Sequence, residues 1–577
     1  MESIDAHYRF LARPLAGVVR QASTTTLLAA GLAAGLAAVA PLAQADTIID
    51  RANGYTLTAD GTLQRFTSLA FDDLGKIVAV GSEKDTAARL PKAEHIDAQG
   101  KTLLPGLIDA HGHVFGLGEI ASGVELFNAT SVGGAVRTVA EFARAHPRKA
   151  WVIGRGWNQE NWKLGRFPTA AELDAQVNDR PVLLHRVDGH AIWVNTKALE
   201  MAGVSRDTPD PKGGKIERDA AGRPTGVLVD AAMELVEKVV PLATPAEARS
   251  MLDNALAILA KMGLTSVHDA GIKVAQDDLY RDYADHGKLT TRVYAMIGDT
   301  GADFDELAKD GPLHSYGNDV YALASVKLYS DGALGSRGAA LLAPYSDMPS
   351  TKGLLFYPPA EMLAKMNKAM KAGYQVNVHA IGDAGNRQIL DAYAQLIPKY
   401  NAVGLRHRIE HAQVVTPEDI PRFKTLGVIP SMQPTHATSD QNMAEQRVGS
   451  ERIKGAYAWR TFLDQGSRIA CGSDFPVESP NPFEGLHAAV TRQNNAGQPA
   501  GGWYKNQAMT LTEALRCFTL DAAYAAHQEN VIGSLEPGKW ADFILIDRDL
   551  FKVPSEQIGK TQVLQTWMGG KRVYKRQ

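Results

Sequence analysis

From about residue 105 to residue 532, short apolar runs alternate with longer stretches that carry the helical period. Eight of the short runs read as strands: around Leu107–His111, Thr265–Asp269, Arg292–Ile297, Ala322–Tyr329, Tyr374–His379, Arg406–His411, Val428–Met432 and Arg468–Asp474. Strands that alternate with helices predict βα units, and eight such units predict an α/β fold of the (β/α)8 TIM-barrel type. Helix starts keep the phasing. In Thr244-Pro-Ala-Glu247, Thr416-Pro-Glu-Asp419 and Thr510-Leu-Thr-Glu513 a hydroxyl precedes an acid by three positions, as an N-terminal capping pair requires. The surplus length lies between strands one and two, residues 114–245. That insert leaves from the carboxyl end of a barrel strand, so it is expected to cap the active-site mouth.

The two flanks follow a different pattern. Residues 46–104 hold short alternating strands broken by turns, and residues 533–577 hold a matching set, including Phe543-Ile-Leu-Ile-Asp547 and Val563-Leu-Gln-Thr-Trp-Met568. Neither end has enough apolar residues for a core of its own. One composite β-sandwich made from both termini solves that problem, with the barrel at 105–532 between its two parts. Residues 1–45 read as a signal peptide. Arg13 and Arg20 precede the apolar run Leu27–Leu42, which ends at Ala43-Gln44-Ala45, a small-x-small cleavage site. The run is shorter than the roughly 20 residues a membrane span needs. The expectation is an exported, periplasmic protein cleaved after Ala45, with no membrane anchor thereafter.

Composition adds little to this picture. A net charge of −3 over 577 residues and the lack of long basic runs point away from nucleic acid. Cys471 and Cys517 are too few for a disulfide framework and lie in apolar stretches, where they are expected as buried fillers. Oligomeric state is left open, a homodimer included.

The chemistry is concentrated at the carboxyl ends of the strands. Period two turns Asp109, His111 and His113 to one face of strand one, and two imidazoles so spaced can bind one cation, with Gly112 allowing close backbone approach. On strand four Lys327 points inward while Val326 and Leu328 face the helices. On strand five the same alternation sends His379 inward. Strand six ends at Glu410-His411 and strand eight at Asp474. Four histidines, a lysine and an aspartate thus meet at the face where barrel enzymes do chemistry. An inward lysine is costly there unless something uses it.

The motifs LPGLIDAHGH, SVKLYSDGALGSRGA, VNVHAIGDAGN, HRIEHAQ, PSMQPTHATSD and CGSDFPVESPNPF, with the closing EPGKWADFILID, resemble the amidohydrolase superfamily. They are most similar to its amidohydrolase-3 branch, which includes N-substituted formamide deformylases; the resemblance runs from about residue 47 to the C-terminus. It implies a metal-dependent hydrolase acting on a small-molecule amide, N-formyl or N-acyl substrate. His111, His113 and Asp474 would hold one divalent metal, and His379 and His411 a second. Lys327, carboxylated by carbon dioxide to a carbamate, would bridge the two; zinc is the default for such a mixed N/O set. A metal-bound hydroxide would attack the carbonyl, with Asp474 as the proton shuttle.

Around that centre, His190 is a candidate to hold the carbonyl oxygen and Trp157 an apolar leaving group; for both, the insert's own core is the alternative. Arg337 could clamp a carboxylate or form a structural ion pair, and His436 could touch substrate. Lys327 could instead pair with Asp331 behind the site. His185, His268 and His407 read as core histidines, and Asp383 as a residue that orients its own loop. Competing chemistries on the same barrel are a mononuclear deaminase and an ester, lactone or phosphotriester hydrolase. A non-catalytic binding protein is disfavoured because all six ligand positions are filled.

Overall fold

A computed structural model describes residues 46–577 apart from Glu160, Asn161, Val187, Asp188, His190, Lys212 and Gly213. The signal peptide expected at residues 1–45 therefore lies outside the described residues. Eight parallel strands, Leu107–Gly112, Leu264–Ile272, Arg292–Gly298, Tyr321–Tyr329, Gln375–Ala380, Arg408–His411, Ile429–Met432 and Ala470–Cys471, pair in chain order. The (β/α)8 barrel expected from the βα alternation is the fold. One further strand, Leu313–Tyr316, runs antiparallel beside strand four. The alternation on strands four and five falls as the pattern predicts: Val326, Leu328, Val376 and Val378 join the large apolar core under the helices. Lys327, Asn377 and His379 are buried on the other face.

Strand eight differs from the expected Arg468–Asp474. Its ladder with strand seven covers only Ala470–Cys471. Beyond Cys471 the chain leans onto strand one instead, and the ring closes there. Asp474 N–H donates to His111 O at 2.7 Å, and His113 N–H donates to Phe475 O at 2.7 Å. Glycine makes that approach possible. A Cβ on Gly472 would stand 2.5 Å from both Asp109 Oδ1 and His111 N, and one on Gly112 would stand 2.3 Å from the Phe475 ring. Closure of the barrel and construction of its rim are thus the same event.

Two of the three expected helix caps form as capping boxes, Thr244 with Glu247 and Thr510 with Glu513. The third does not. Pro421 sits in the first turn of the helix Ile420–Leu426, and Asp419 takes the position before it. Thr416 and Asp419 instead close a turn, Asp419 N–H donating to Thr416 Oγ1 at 3.3 Å.

Both chain ends build the flanking sheets. Asn53–Leu57, Leu63–Phe66 and Thr102–Pro105 share a six-stranded sheet with Phe543–Ile546, Val563–Met568 and Lys571–Lys575. A four-stranded sheet of Thr47–Asp50, Ser68–Phe71, Ile77–Gly81 and Glu94–Asp97 shares an apolar core with it, where Phe543 stacks on Trp567 at 5.3 Å. The buried ion pair of Arg292 with Asp542, at 2.7 Å, ties this unit to barrel strand three.

The insert carries a six-stranded sheet of Val124–Glu125, Val152–Trp157, Val182–Arg186, Ala191–Val194, Gly214–Arg218 and Pro224–Asp230. Two apolar clusters of its own accompany it, one around Trp157, Trp162 and Trp193 and the other around Leu183, Ile192 and Leu228. One expectation is corrected outright. Cys471 and Cys517 are not separate buried fillers but a disulfide, with Cα atoms 5.1 Å apart, tying strand eight to the helix Leu511–Cys517. The partners are 46 positions apart in sequence, and only the fold brings them together.

Candidate metal centre

At the carboxyl rim the side chains from strands one, four, five, six and eight converge. His111 Nε2 lies 3.0 Å from Lys327 Nζ and 3.5 Å from Asp474 Oδ1. His113 Nε2 reaches the same Asp474 oxygen at 3.1 Å. The His411 ring stands 4.9 Å from that of His111 and 4.5 Å from that of His379. One ligand atom each from His111, His411 and Asp474 falls within a sphere of mutual distances no larger than 4.8 Å. His436 stacks on His411 at 5.7 Å and directs its Nε2 to Asp474 Oδ2 at 3.7 Å.

Strict alternation would turn either Glu410 or His411 away from the barrel interior, yet both are buried there. The backbone resolves this by leaving the extended region. His411 has φ of +74°, Ala412 of +44° and Asp474 of +61°, a conformation that side chains with a Cβ rarely adopt and that clusters at functional sites. Strain at the ends of strands six and eight aims these two side chains at the rim.

The electrostatics match a cation. Burial, followed by the positive charge of Lys327, pushes His111 down to about 4 and His379 down to about 3. Burial also holds His411 well below the usual imidazole range. For Asp474, burial alone would raise the carboxyl, but the adjoining imidazoles of His113, His111 and His411 hold it well below the ordinary value. The result is neutral imidazoles around an ionised carboxylate, which is a divalent-metal donor set. His379 Nε2 and His436 Nε2 are buried and make no hydrogen bond. A buried polar atom without a partner is costly, and a cation would satisfy the one on His379. The donor set and these orphaned atoms fit a metal.

Several supporting groups were given no role by the sequence pattern. Glu410 Oε2 meets His111 Nδ1 at 2.5 Å, and Gln433 Oε1 meets His411 Nδ1 at 2.8 Å. Asp109 accepts from the Ser473 hydroxyl at 2.6 Å and from the backbone N–H groups of Ser473 and His111, linking strand one to strand eight. Burial, the largest influence, raises that carboxyl to about 7. Glu410 and Asp109 share the inward phase of their strands, which was the signal available in the sequence. Tyr329, two residues after Lys327, places its ring 4.7 Å from the ammonium and 5.5 Å from the His379 ring.

The outer candidates fare differently. Trp157 takes the core alternative: it is fully buried in the core of the insert, and its indole N–H donates to Leu184 O at 2.7 Å, so neither its face nor its donor is open to a ligand. Arg337 takes the ion-pair alternative, with its guanidinium on Asp347 at 2.8 Å. Asp331 collects the backbone N–H groups of Ile381, Gly382 and Ala340, and burial raises it to about 7. Asp383 accepts from Leu342 N–H at 2.8 Å, orienting that loop. His407 accepts from Val376 N–H, while His268 accepts from Arg408 behind the site. His190 lies outside the described residues.

The chain is matched by the model of the amidohydrolase family, amidohydrolase-3 type, over residues 94–574. It is 32% identical to the putative amidohydrolase YtcJ of Bacillus subtilis, covering 90% of this chain and 98% of that one. It is 29% identical to the N-substituted formamide deformylase of Arthrobacter pascens, covering 87% of this chain and 94% of that one. Among solved structures, an uncharacterized metal-dependent hydrolase from Pyrococcus horikoshii OT3 superposes with a TM-score of 0.75 at 28% identity, covering 89% of this chain and 99% of that one.

Proposed function

The chain belongs to the amidohydrolase family, in its amidohydrolase-3 branch, and is a hydrolase; from that premise we propose that it cleaves the C–N bond of an amide, N-formyl or N-acyl substrate at the rim described above. The observation that carries the proposal is the convergence of His111, His411 and Asp474 beside Lys327. The 29% identity to a formamide deformylase supports an N-formyl or related amide as the class to test first.

His111, His113 and Asp474 would hold one divalent ion and His379 and His411 a second, with Lys327 as a carbamate between them; the imidazole-rich set favours zinc. A bound divalent ion supplies Lewis acidity to a carbonyl oxygen and acidity to a water. The remaining chemistry falls to the chain itself. Asp474 takes the proton released as water oxygen bonds to the carbonyl carbon. It returns that proton to the nitrogen as the C–N bond breaks, so the products are a carboxylic acid and an amine. His436 would hold the developing oxyanion or steady the shuttle, a role its Nε2 facing Asp474 at 3.7 Å supports. A second reading, a single ion held as in a mononuclear deaminase, is favoured by one observation: His111, His411 and Asp474 alone form the tight group of ligand atoms among the described residues.

Amine release from a panel of formamides and N-acyl amino acids, with and without chelator, tests the reaction, and metal content per chain separates two ions from one. Turnover that chelator abolishes and zinc restores is expected. No release from metal-replete protein across the panel, or release indifferent to chelator, would sink it. Export to the periplasm is part of the same proposal. The Cys471–Cys517 disulfide supports it, since such bonds persist in oxidising compartments. A mature N-terminus at Asp46 in the periplasmic fraction is the expected result, and an intact residue 1–45 segment on cytoplasmic protein would refute it.

A further inference from the structure

Behind the rim, in the middle of the barrel, lies a chain of charged and polar groups that the hydrolysis itself does not use. Glu410 and Arg408 sit two residues apart on strand six, both fully buried and both pointing inward. Glu410 Oε2 is 2.5 Å from His111 Nδ1. Its other oxygen forms an ion pair with Arg408 Nε at 2.7 Å, a contact not aligned as a hydrogen bond. The rest of the guanidinium is committed as well: to His268 Nδ1 at 2.9 Å, Ala110 O at 2.5 Å and Ser431 Oγ at 2.9 Å. Those three partners come from strands two, one and seven. The arginine is thus bolted across the barrel interior, and a bolted arginine holds the carboxylate in place.

A carboxylate beside a guanidinium is anionic and can only accept, so the proton on the His111 ring must sit on Nδ1. The lone pair is then left on Nε2, the nitrogen that faces Lys327 Nζ and Asp474. A buried anion facing Nδ1 also makes Nε2 a stronger donor. Resting on the reading of this rim as a metal centre, we propose that Glu410, held by Arg408, is the positioning residue that fixes the tautomer and orientation of His111 for metal binding. His411 receives a weaker version of the same treatment from neutral Gln433 at 2.8 Å. The His111 side of the centre is therefore the more tightly held, and the first to suffer when its support is removed.

The test compares the parent protein with Glu410→Gln and Glu410→Asp, each stripped of metal and titrated with Zn2+ against a competing chelator and with Co2+ by visible absorption. Glu410→Gln removes the charge, and its zinc affinity is expected to fall by about 10–100-fold, the usual cost of losing such a partner. Its Co2+ spectrum should change while circular dichroism stays native. Glu410→Asp keeps the charge beside Arg408 but withdraws it from His111, so an intermediate affinity is expected; this variant decides the matter if the glutamine form does not fold. Parental zinc affinity and an unchanged Co2+ spectrum in either folded variant would overturn the proposal, as would a lowered melting temperature with affinity intact, the mark of a purely structural role. A parent that binds neither metal would instead overturn the metal centre itself.

Discussion

The barrel rim and the insert both bury ring nitrogens, yet they treat them in opposite ways. At the rim, His379 Nε2 and His436 Nε2 are buried without a hydrogen bond, and two strand ends are held at positive φ to keep ligands aimed inward. In the described part of the insert, Trp157, Trp162 and Trp193 each donate their indole N–H to a backbone carbonyl, at 2.7, 2.8 and 2.8 Å. The rim leaves these ring nitrogens unmet and its strand ends strained; the three indoles of the insert are satisfied internally. A site that must bind something can draw on ring nitrogens the fold leaves incomplete, whereas these indoles already have their acceptors.

That contrast can be broken by exchange of effects. His111→Ala should give the largest loss: kcat/KM with the best amide of the panel down at least about a thousand-fold, as expected for several kcal/mol of transition-state stabilisation, with the native fold retained by circular dichroism. Comparable turnover in mutant and parent would remove the rim from the chemistry. Lys327→Ala comes next. Activity and metal content should fall together, activity by on the order of a hundred-fold, or about 3 kcal/mol, and short carboxylic acids should restore part of both. Two ions retained in full would mean that Lys327 is not the bridge. Trp157→Ala should do the reverse of His111→Ala. It should cost about 3–5 kcal/mol of stability in denaturant titrations, the range for emptying a large aromatic site. In the molecules that remain folded, kcat/KM should stay within a few-fold of the parent. A large kinetic loss at unchanged stability would return Trp157 to the substrate pocket.

The legible part of this protein was the part written in short-range periodicity. Alternation on strands four and five separated Val326, Val376 and Val378 from Lys327 and His379, and the structure keeps that separation. Where tertiary constraints bend the backbone, the periodicity fails. Strand eight stops at Cys471 because the next residues pair with strand one, and Glu410 and His411 share a face because His411 sits at φ +74°. For Trp157 the motif left two readings open for a related reason: it says which residue is present, but not whether its N–H is already satisfied by Leu184.

The amino-acid order alone determined the eight-strand barrel and the set of side chains offered to its rim, because strand and helix periods are local properties that survive without knowledge of any partner. Only the closed ring decided which of those groups would meet. Glu410 finds His111 from 299 positions away, and Cys471 finds Cys517 from 46. Such pairings depend on the curvature of the sheet and on where the last strand docks against the first, and no local pattern encodes either.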